Sequence, residues 1–355
     1  MNMIVEPDFL HEKLAVWYAE NRRDLPWRNH PTPYQVWLSE VILQQTRVSQ
    51  GWDYYLRFTA RWPTVADLAQ ASEEEVLKMW QGLGYYSRAH NLHHCAKQVV
   101  EQHGGTFPAD FGELRKLKGV GDYTAAAIAS IAFGLPHAVV DGNVYRVLSR
   151  LFDIDTPINS SEGQKLFAHL ADALLDRKRP GHHNQALMEF GALHCTPQSP
   201  NCLLCPLQAQ CLAFARQTVG QRPVKSAKAK VTTVFLNYLV FRLGEKTYLR
   251  KRSGKGIWRN LYDFPCVESD SPMDVEAVLH SEGFLQLIGN KSFTIAKTSP
   301  TYTHKLTHRT LVARFIEIKL SQELPPIETK DIILASEKDL GRYPIPRLID
   351  LYLNT

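Results

Sequence analysis

The chain has 355 residues, which is enough for two domains that each bury a core of their own. Hydrophobic residues make up 44% and charged residues 22%, which excludes a wholly disordered or fibrous protein, and the net charge of +5 permits a local basic surface without by itself indicating nucleic-acid binding. No apolar run approaches the roughly 18 to 20 residues that span a bilayer, and the first residues lack the features of a secretory signal. We therefore expect a cytoplasmic protein without membrane contact.

The first part of the chain, from about residue 9 to residue 216, is dominated by apolar residues that recur three and four positions apart. This spacing predicts amphipathic helices, and the glycines and prolines between them predict short connections. The predicted helices include 34–50, 73–83, 89–103, 123–133 and 164–175.

The composition changes at 218–230, which has few large apolar residues and four basic ones and is interpreted as an exposed linker. Two later segments, 231–243 and 311–320, are rich in β-branched and aromatic residues, which predicts strands, and one helix is predicted between them at 273–282. The expected fold is therefore mainly α, with a helical domain at 1–217, a linker at 218–230 and an α+β domain at 231–355.

Four of the six cysteines fall in one loop, at 195–211, with the spacing Cys-x6-Cys-x2-Cys-x5-Cys, whereas Cys95 and Cys266 stand alone. Without a secretory signal, such a cluster favours metal ligation over disulfides. Four thiolates in one loop can complete either a zinc site or an iron–sulfur site, so the residue chemistry leaves both open. The four residues are Cys195, Cys202, Cys205 and Cys211.

The segment LKGVGDYT, which begins at Leu117, contains the closely spaced glycines Gly119 and Gly121. Glycines let the backbone approach a ligand, and exposed N–H groups at the start of a helix favour a phosphate. An ordinary turn between two helices, with Asp122 as the N-cap, would have the same sequence.

Two carboxylates stand in settings that suit catalysis. Asp141 lies in VVDGNV, where an apolar segment turns into a helix, and a carboxylate at a helix start is expected to stay ionised. Glu40 is the only acidic residue in VWLSEVIL, so its pKa should rise if that face of the helix is buried. An acid beside an ionised partner suits cleavage of a glycosidic bond. Each residue alone would ordinarily be an N-cap or a solvent-facing glutamate.

Taken together, the cysteine spacing, LKGVGDYTA and VDGNV resemble the helix-hairpin-helix DNA glycosylases that carry a [4Fe-4S] cluster. Within that superfamily, PWR at 26–28, SEVILQQTRV at 39–48 and QGLGYYSRAHNL at 81–92 resemble the adenine DNA glycosylases of the MutY family. The resemblance covers nearly the whole chain and is strongest over 25–211. It implies a two-lobed helical domain and favours a [4Fe-4S] cluster over zinc at the four cysteines.

The resemblance implies base excision repair, in which the N-glycosidic bond of an adenine opposite 8-oxoguanine or guanine is hydrolysed after the base is flipped from the duplex. Glu40 would protonate the adenine ring and help to cleave the N-glycosidic bond, and Asp141 would stabilise or trap the sugar cation. The remaining roles carried over from the family are support of the catalytic site by Asn143 and Tyr123, a base pocket of Arg28, Leu43 and Gln185, and DNA contacts at Gln45, Thr46, Leu83, Tyr85, Gly119 and Gly121.

The related glycosylase-lyases usually carry a lysine where this chain has Tyr123. That lysine forms a Schiff base with the sugar, which a tyrosine cannot do. The resemblance therefore implies a monofunctional enzyme that removes the base without efficient strand cleavage.

The C-terminal domain resembles the Nudix-like domain with which this family recognises 8-oxoguanine, as GIWRNLYDFP at 256–265 indicates. It lacks the Glu-rich helix with which Nudix hydrolases hold Mg²⁺, so hydrolysis of nucleotide diphosphates is not expected. The family's Phe-Ser-His recognition triplet appears here as Leu306, Thr307 and His308, which keeps a hydroxyl and the imidazole but not the aromatic ring.

The expected partner is double-stranded DNA with an adenine opposite 8-oxoguanine or guanine, bound by a monomer at the bacterial nucleoid. Lys225, Lys228 and Arg250 are expected to contact phosphates, which would make the affinity depend on salt. Two other functions remain open: a glycosylase for another base, such as thymine opposite guanine, and a catalytically silent DNA-binding protein.

Overall fold

The chain folds into two compact units, neither of which is a single continuous segment. The computed structural model describes residues 6–29, 31–226, 231–325 and 331–355. The first unit comprises Met1–Gln70 and Asn91–Ala227, and the second comprises Ala71–His90 and Lys228–Thr355. The predicted domain borders follow chain order, whereas here the segment 71–90 groups with the C-terminal residues.

The first unit is helical, as the apolar spacing predicts. Its helices are α1 (Pro7–Asn21), α2 (Pro33–Leu43), α3 (Val48–Arg61), α4 (Val65–Gln70), most of α6 (Ser87–His103), α7 (Phe111–Lys116), α8 (Asp122–Ala127), α9 (Gly142–Leu151), α10 (Ser161–Ala173), α11 (Pro180–Leu193) and α12 (Leu212–Ala215). A π-helical turn, Ile128–Ala132, extends α8. Leu14, Leu148 and Phe190 belong to the core that α1, α9, α10 and α11 enclose.

Side chains at the helix starts explain where these helices begin. Thr32 and Gln35 form a reciprocal capping box at α2, which satisfies two backbone N–H groups that have no partner inside the helix. Asp141 caps α9 by accepting from the backbone N–H groups of Asn143 and Val144.

The prediction of one helix over 34–50 is wrong. The helix ends at Leu43 and a new one starts at Val48, because Gln45 adopts a left-handed conformation with φ of +55°. The break leaves Gln45 and Thr46 in a loop instead of on a helical face.

The second unit is built around a mixed sheet, which confirms the predicted α+β organisation. Its strands are β1 (Thr232–Leu243), β2 (Lys246–Lys251), β3 (Tyr262–Asp263), β4 (Cys266–Ser269), β5 (Phe293–Thr298), β6 (Tyr302–Lys305), β7 (Arg309–Leu320) and β8 (Ile332–Ser336). Its helices are α5 (Glu73–Trp80), α13 (Val275–Leu279), α14 (Glu282–Ile288) and α15 (Arg347–Leu353). The helix predicted over 273–282 is the shorter α13, and a second helix, α14, begins at Glu282, where the predicted one ends.

The sheet runs β3-β2-β1-β7-β5, with β4 beside β1, β6 beside β7 and β8 beside β2. β1 and β7 are parallel, from Thr232 opposite Arg309 to Arg242 opposite Lys319, and the other pairs are antiparallel. Both central strands read as β-branched and aromatic runs, which pack well on a pleated surface. Phe241, Phe284 and Ile316 lie in the core between this sheet and α13–α14.

The first part of the predicted linker packs on the first unit. The backbone N–H of Ile158 donates to Val224 O at 3.0 Å, and the backbone N–H of Ser226 donates to Asn159 Oδ1 at 2.8 Å. The prediction of an exposed linker therefore fails for 218–224, where several side chains are half-buried, whereas Lys225 is exposed. None of the helices in the described part of the chain has the length and hydropathy needed to span a bilayer.

Candidate active site

A cavity of about 390 Å³ lies in the first unit, between the loop that precedes α2, the end of α2, α8, the start of α9 and one face of α11. It brings together residues that are far apart in the chain. The predicted site residues that line it are Arg28, Glu40, Leu43, Gln45, Thr46, Tyr123, Asp141 and Asn143.

Glu40 projects from α2 into this cavity, and the hydroxyl of Tyr123 donates a short hydrogen bond to its Oε2. Burial raises the pKa of Glu40 to about 7, as the apolar sequence around it predicts. The hydrogen bond from Tyr123 and the charge of Arg28 oppose this rise, whereas the charge of Asp141 adds to it. A carboxyl with this pKa can hold a proton near neutral pH and release it to a substrate.

Asp141 has a different environment from Glu40. Its Oδ1 accepts from the backbone N–H groups of Asn143 at 2.9 Å and Val144 at 2.7 Å, and its Oδ2 accepts from Asn143 Nδ2 at 2.7 Å. Burial raises the pKa of Asp141 above its ordinary value, and these three donors and the charge of Arg146 offset only part of that rise. N–H donors favour the ionised form of a carboxyl, so Asp141 is arranged to present negative charge beside the protonatable Glu40.

The residues predicted to bind the base are held by other side chains. Arg28 donates through Nη1 and Nη2 to both carboxylate oxygens of Glu189, at 2.9 and 2.8 Å, and its guanidinium lies over the ring of Tyr18. The hydroxyl of Tyr18 donates to Gln185 Oε1 at 3.0 Å. Among the described residues that line the cavity Gln185 is missing, whereas Leu43 is present.

Three of the predicted metal ligands, Cys202, Cys205 and Cys211, lie in or beside two 3₁₀ turns, Cys202–Leu204 and Gln208–Gln210, whereas Cys195 follows the end of α11. Cys195, Cys205 and Cys211 pack against the core of the first unit, and all four cysteines are free thiols. Burial raises the pKa values of Cys202, Cys205 and Cys211, and the charge of Cys195 raises them further.

The donor set fits a group held by four thiolates. Arg150 Nη1 lies 3.4 Å from Cys195 Sγ, and the charge of Arg150 opposes the rise that burial causes in the pKa of Cys202. Within the described ranges, no group of three or more His, Cys, Asp or Glu side chains is arranged to hold a single metal ion.

Arg146 connects the cysteine loop to the turn that carries Asp141. Its Nε donates to the carbonyl of Cys195 at 2.7 Å, and its Nη2 donates to Asn143 Oδ1 at 2.8 Å and to the carbonyl of Gly191 at 2.6 Å. One guanidinium thus ties three separate segments of the first unit together.

The Gly-x-Gly turn has the geometry that its sequence requires. Gly119 has a φ of +78°, and a Cβ there would lie 2.6 Å from the Cβ of Asn91, so this position excludes a side chain. The exposed Gly121, and not Asp122, is the N-cap of α8, which corrects the alternative assignment of Asp122 as the cap. Space is open around a Cβ at Gly121.

In the second unit, Tyr85 and the predicted recognition triplet come together. Tyr85 is exposed with a φ of +47°, and its hydroxyl oxygen lies 3.2 Å from Thr307 Oγ1. Leu306, Thr307 and His308 form the turn between β6 and β7, in which Thr307 and His308 are exposed. Leu83 is buried, so a DNA contact through its side chain would require a rearrangement.

The three basic residues predicted to contact phosphates have different environments. Lys225 is exposed, and Lys228 lies outside the described residues. Arg250 donates through Nε and Nη2 to both oxygens of the fully buried Asp263, at 3.0 and 2.9 Å. Because its guanidinium is engaged inside the second unit, the prediction that Arg250 contacts phosphate is not supported.

Glu189 and Tyr18 support the pocket but are not among the predicted site residues. Glu189 is the only acidic residue in α11, where it stands within the apolar run ALMEFGAL. That is the same signal that marks Glu40 in α2. Tyr18 carries no comparable signal, because an aromatic residue on the apolar face of a helix usually belongs to the core.

Comparison with known proteins agrees with this architecture. Residues 38–171 match the model of the HhH-GPD superfamily of base excision DNA repair proteins, and residues 237–355 match a NUDIX domain. Among solved structures, a thermostable thymine-DNA glycosylase aligns with a TM-score of 0.54 and 27% identity, over 59% of this chain and 97% of that one. The helical unit therefore has the helix-hairpin-helix glycosylase fold.

Sequence relatives place the chain more narrowly. It is 46% identical to the adenine DNA glycosylase of Mus musculus over 63% of this chain, but it spans only 45% of that protein, or about half the length of the first such relatives. It is 32% identical to the adenine DNA glycosylase of Buchnera aphidicola subsp. Baizongia pistaciae (strain Bp), over 85% of this chain and 83% of that one. On this evidence the chain belongs to the adenine DNA glycosylases, the MutY family.

Proposed function

We propose that the chain is a monofunctional adenine DNA glycosylase, which hydrolyses the N-glycosidic bond of an adenine opposite 8-oxoguanine or guanine in duplex DNA. The observation that carries the proposal is the pairing of Glu40 and Asp141 in one cavity, with the pKa of Glu40 raised to about 7 and Asp141 surrounded by N–H donors. Membership of the adenine DNA glycosylase family supports adenine as the base on which this pair acts.

The two carboxyl groups divide the chemistry between them. Glu40 donates its proton to the adenine ring as the glycosidic bond lengthens, which turns the base into a better leaving group. The sugar develops positive charge in this step, and the carboxylate of Asp141 stabilises it. Flipping is necessary because the bond is inaccessible in the base stack, and a mispaired adenine costs less to extrude than a paired one.

The monofunctional assignment rests on Tyr123. Its phenol hydrogen-bonds to Glu40 at the position where the related lyases usually carry a lysine, and a phenol cannot form a Schiff base with the sugar. No lysine is found among the described residues that line the cavity. Water is therefore the nucleophile that completes the reaction, and the abasic strand stays intact.

The test is a single-turnover assay on three duplexes, with adenine opposite 8-oxoguanine, adenine opposite guanine, and thymine opposite guanine. Cleavage of the adenine strands only after alkali treatment, and its loss in Glu40→Gln and Asp141→Asn, would support the proposal. Release of thymine alone would indicate a glycosylase for another base. Tight binding without release of any base would indicate a silent DNA-binding protein.

We propose that Cys195, Cys202, Cys205 and Cys211 hold a [4Fe-4S] cluster. Such a cluster cross-links the loop when it is bound, and this chain's own residues perform the bond cleavage. The purified protein is expected to contain about four irons and four sulfides per chain. Zinc without iron would overturn this assignment, as would a Cys202→Ser variant that keeps its full iron content.

Recognition of the base opposite the adenine is proposed for the second unit, through Tyr85, Thr307 and His308. The exposure of all three and the proximity of two hydroxyls, at Tyr85 and Thr307, support this role. Thr307→Ala should lower the ratio of the rate on 8-oxoguanine duplexes to the rate on guanine duplexes, whereas an unchanged ratio would exclude Thr307 from this role.

We propose that the enzyme acts as a monomer on DNA at the bacterial nucleoid. In this complex Gly119 and Gly121 lie beside a phosphate of the DNA.

A further inference from the structure

Glu189 is a buried carboxylate that serves two arginines at once. It lies on α11 with its side chain 1% exposed. Its Oε1 accepts from the backbone N–H and Nε of Arg23 and from Arg28 Nη1, and its Oε2 accepts from Arg23 Nη2 and Arg28 Nη2, over 2.6 to 3.0 Å. Each arginine is thus held by a two-pronged contact, the geometry in which guanidinium and carboxylate fit best.

We propose that Glu189 is a positioning residue of the base pocket, whose buried carboxylate fixes Arg28 beside Glu40 and balances the positive charge that faces this acid. The proposal deepens the adenine glycosylase function proposed above and rests on it. Glu189 itself is not the proton donor, because both of its oxygens are occupied by guanidinium groups.

The carboxylate is required where it lies. Burial alone raises the pKa of Glu189, but the hydrogen bonds and charges of Arg23 and Arg28 outweigh it and lower the pKa to about 2. Glu189 therefore stays ionised throughout the pH range of the reaction. Removing the carboxylate of Glu189 would leave both guanidinium groups without their ion-pair partner, which costs more stability than replacing the whole cluster would.

The charge balance matters because Arg28 acts on Glu40. The positive charge of Arg28 favours the ionised form of Glu40, against the burial that raises its pKa to about 7. Arg23, Arg28 and Glu189 together carry a single net positive charge. The other titratable groups that face Glu40 are Tyr123 on α8 and Asp141 at the start of α9.

Two substitutions should move the acidity of Glu40 in opposite directions. Glu189→Gln removes the negative charge and leaves both arginines uncompensated, so Glu40 should lose its proton at lower pH. Arg23→Gln removes one positive charge and leaves Glu189 to neutralise Arg28 alone, so Glu40 should keep its proton to higher pH. A role in folding alone predicts no such opposition.

The experiment is the pH dependence of the single-turnover rate of adenine release by the full-length protein. The alkaline limb of the pH–rate profile is the range in which the rate falls because Glu40 loses its proton. In Glu189→Gln this limb should shift to lower pH by on the order of half to one pH unit, which lowers the rate at pH 8 about three- to tenfold. In Arg23→Gln the limb should shift up. Glu162→Gln, an exposed charge change on α10, is the matched control and should leave the limb unchanged.

The outcomes separate this inference from the function on which it rests. A wild-type protein that releases no adenine would overturn the proposed function. A wild-type protein that is active, with the same limb in both variants, would overturn the role of Glu189 alone. If Glu189→Gln does not fold, Arg23→Gln still decides, because an unchanged or lowered limb there contradicts the charge balance.

Discussion

The catalytic proposal depends on two carboxyl groups in one cavity whose environments differ. Glu40 receives one hydrogen bond from a phenol, whereas Asp141 receives three from N–H groups. Burial acts on both, so the number and kind of donors separate an acid from a charge stabiliser. The pocket can thus supply both a proton and a negative charge at one pH.

Glu40 should make the folded protein less stable as the pH rises. Its pKa is raised in the folded state, so between about pH 4.5 and pH 7 the folded protein holds a proton that the unfolded chain has lost. Stability from this residue is complete below pH 4.5 and is lost as the pH rises to 7. Relative to Glu40→Gln, the wild-type free energy of unfolding should fall by about 2 kcal/mol between pH 5 and pH 7.5.

Denaturant unfolding of both proteins at the two pH values measures this difference. The magnitude allows for the edge of Glu40 that faces the cavity, because contact with water reduces the cost of burying its charge. Parallel stability curves for the two proteins would show that Glu40 is ionised throughout, and would remove it as the acid.

Removing the Tyr123 hydroxyl should make Glu40 a weaker acid. The hydroxyl donates to Glu40 and favours its ionised form, so Tyr123→Phe should raise the pKa of Glu40. The alkaline limb of the single-turnover rate should move up by about one pH unit. A limb that moves down would mean that Tyr123 supports the protonated form instead.

At the residue scale, the sequence indicates single acidic residues in apolar runs but not their partners. Glu40 and Glu189 have the same signature and line the same cavity, yet Glu40 is hydrogen-bonded by a phenol and Glu189 by two arginines. Arg250 looks like a free cation in the sequence, but the buried Asp263 occupies it. These contacts join distant segments, so local spacing does not determine them.

At the scale of elements, the Gly-x-Gly turn shows two glycines with different requirements. Gly119 needs its left-handed backbone and its lack of a side chain, whereas Gly121 has an ordinary φ of −90° and open space around it. The fold therefore requires glycine at position 119. At position 121 the fold accepts a side chain, so substitution there tests whether glycine is needed for a ligand to approach.

Gly119→Ala should destabilise the protein by about 1 to 3 kcal/mol, because the new Cβ meets Asn91 and the backbone is left-handed. Gly121→Ala should lower the stability less than Gly119→Ala, because alanine is only a poorer N-cap there, but it should weaken duplex binding if a phosphate approaches this turn. Thermal unfolding and binding titrations of the two variants measure both effects. Equal loss of stability in the two would contradict this distinction.

Helix and strand types were predictable from apolar spacing, whereas breaks within them were not. The apolar pattern continues across 34–50, but the chain leaves the helix at Gln44. The amide of Gln44 donates to Thr124 Oγ1 on α8, at 3.3 Å, and this long-range contact accompanies the break. The break places Gln45 and Thr46 on the cavity wall, so the unpredicted feature shapes the site.

At the scale of the whole molecule, the modest net charge of +5 leaves DNA affinity to individual exposed cations. Binding to duplex DNA should weaken steeply with salt. Lys225→Ala should reduce the slope of log affinity against log salt by about one, because Lys225 is exposed. Arg250→Ala should leave the slope unchanged and lower the stability, because the buried Asp263 loses one of its two guanidinium partners and keeps only Arg252.

Fluorescence anisotropy across a salt series measures these slopes, and chemical unfolding measures the stability. A slope reduced by Arg250→Ala, with unfolding unaffected, would show that this guanidinium is available to phosphate after all.

The division into two units was only partly predictable. The change of composition near residue 230 is visible in the sequence, and the strands that follow it confirm the predicted α+β fold of the C-terminal part. The assignment of 71–90 to the second unit depends on contacts such as the hydrogen bond from Lys78 to the carbonyl of Tyr343. No feature of 71–90 alone indicates partners that lie so far along the chain.

This split second unit has a consequence for biosynthesis. Residues 71–90 leave the ribosome before residues 228–355 have been synthesised. The hydrogen bond from the hydroxyl of Tyr86 to the carbonyl of Ile345 therefore cannot form until the end of the chain has been made. Trp80 lies in the segment 71–90 and is fully buried in the folded protein. A nascent chain halted between the two parts should therefore offer an apolar stretch to chaperones, and release from them should follow translation of the last strands.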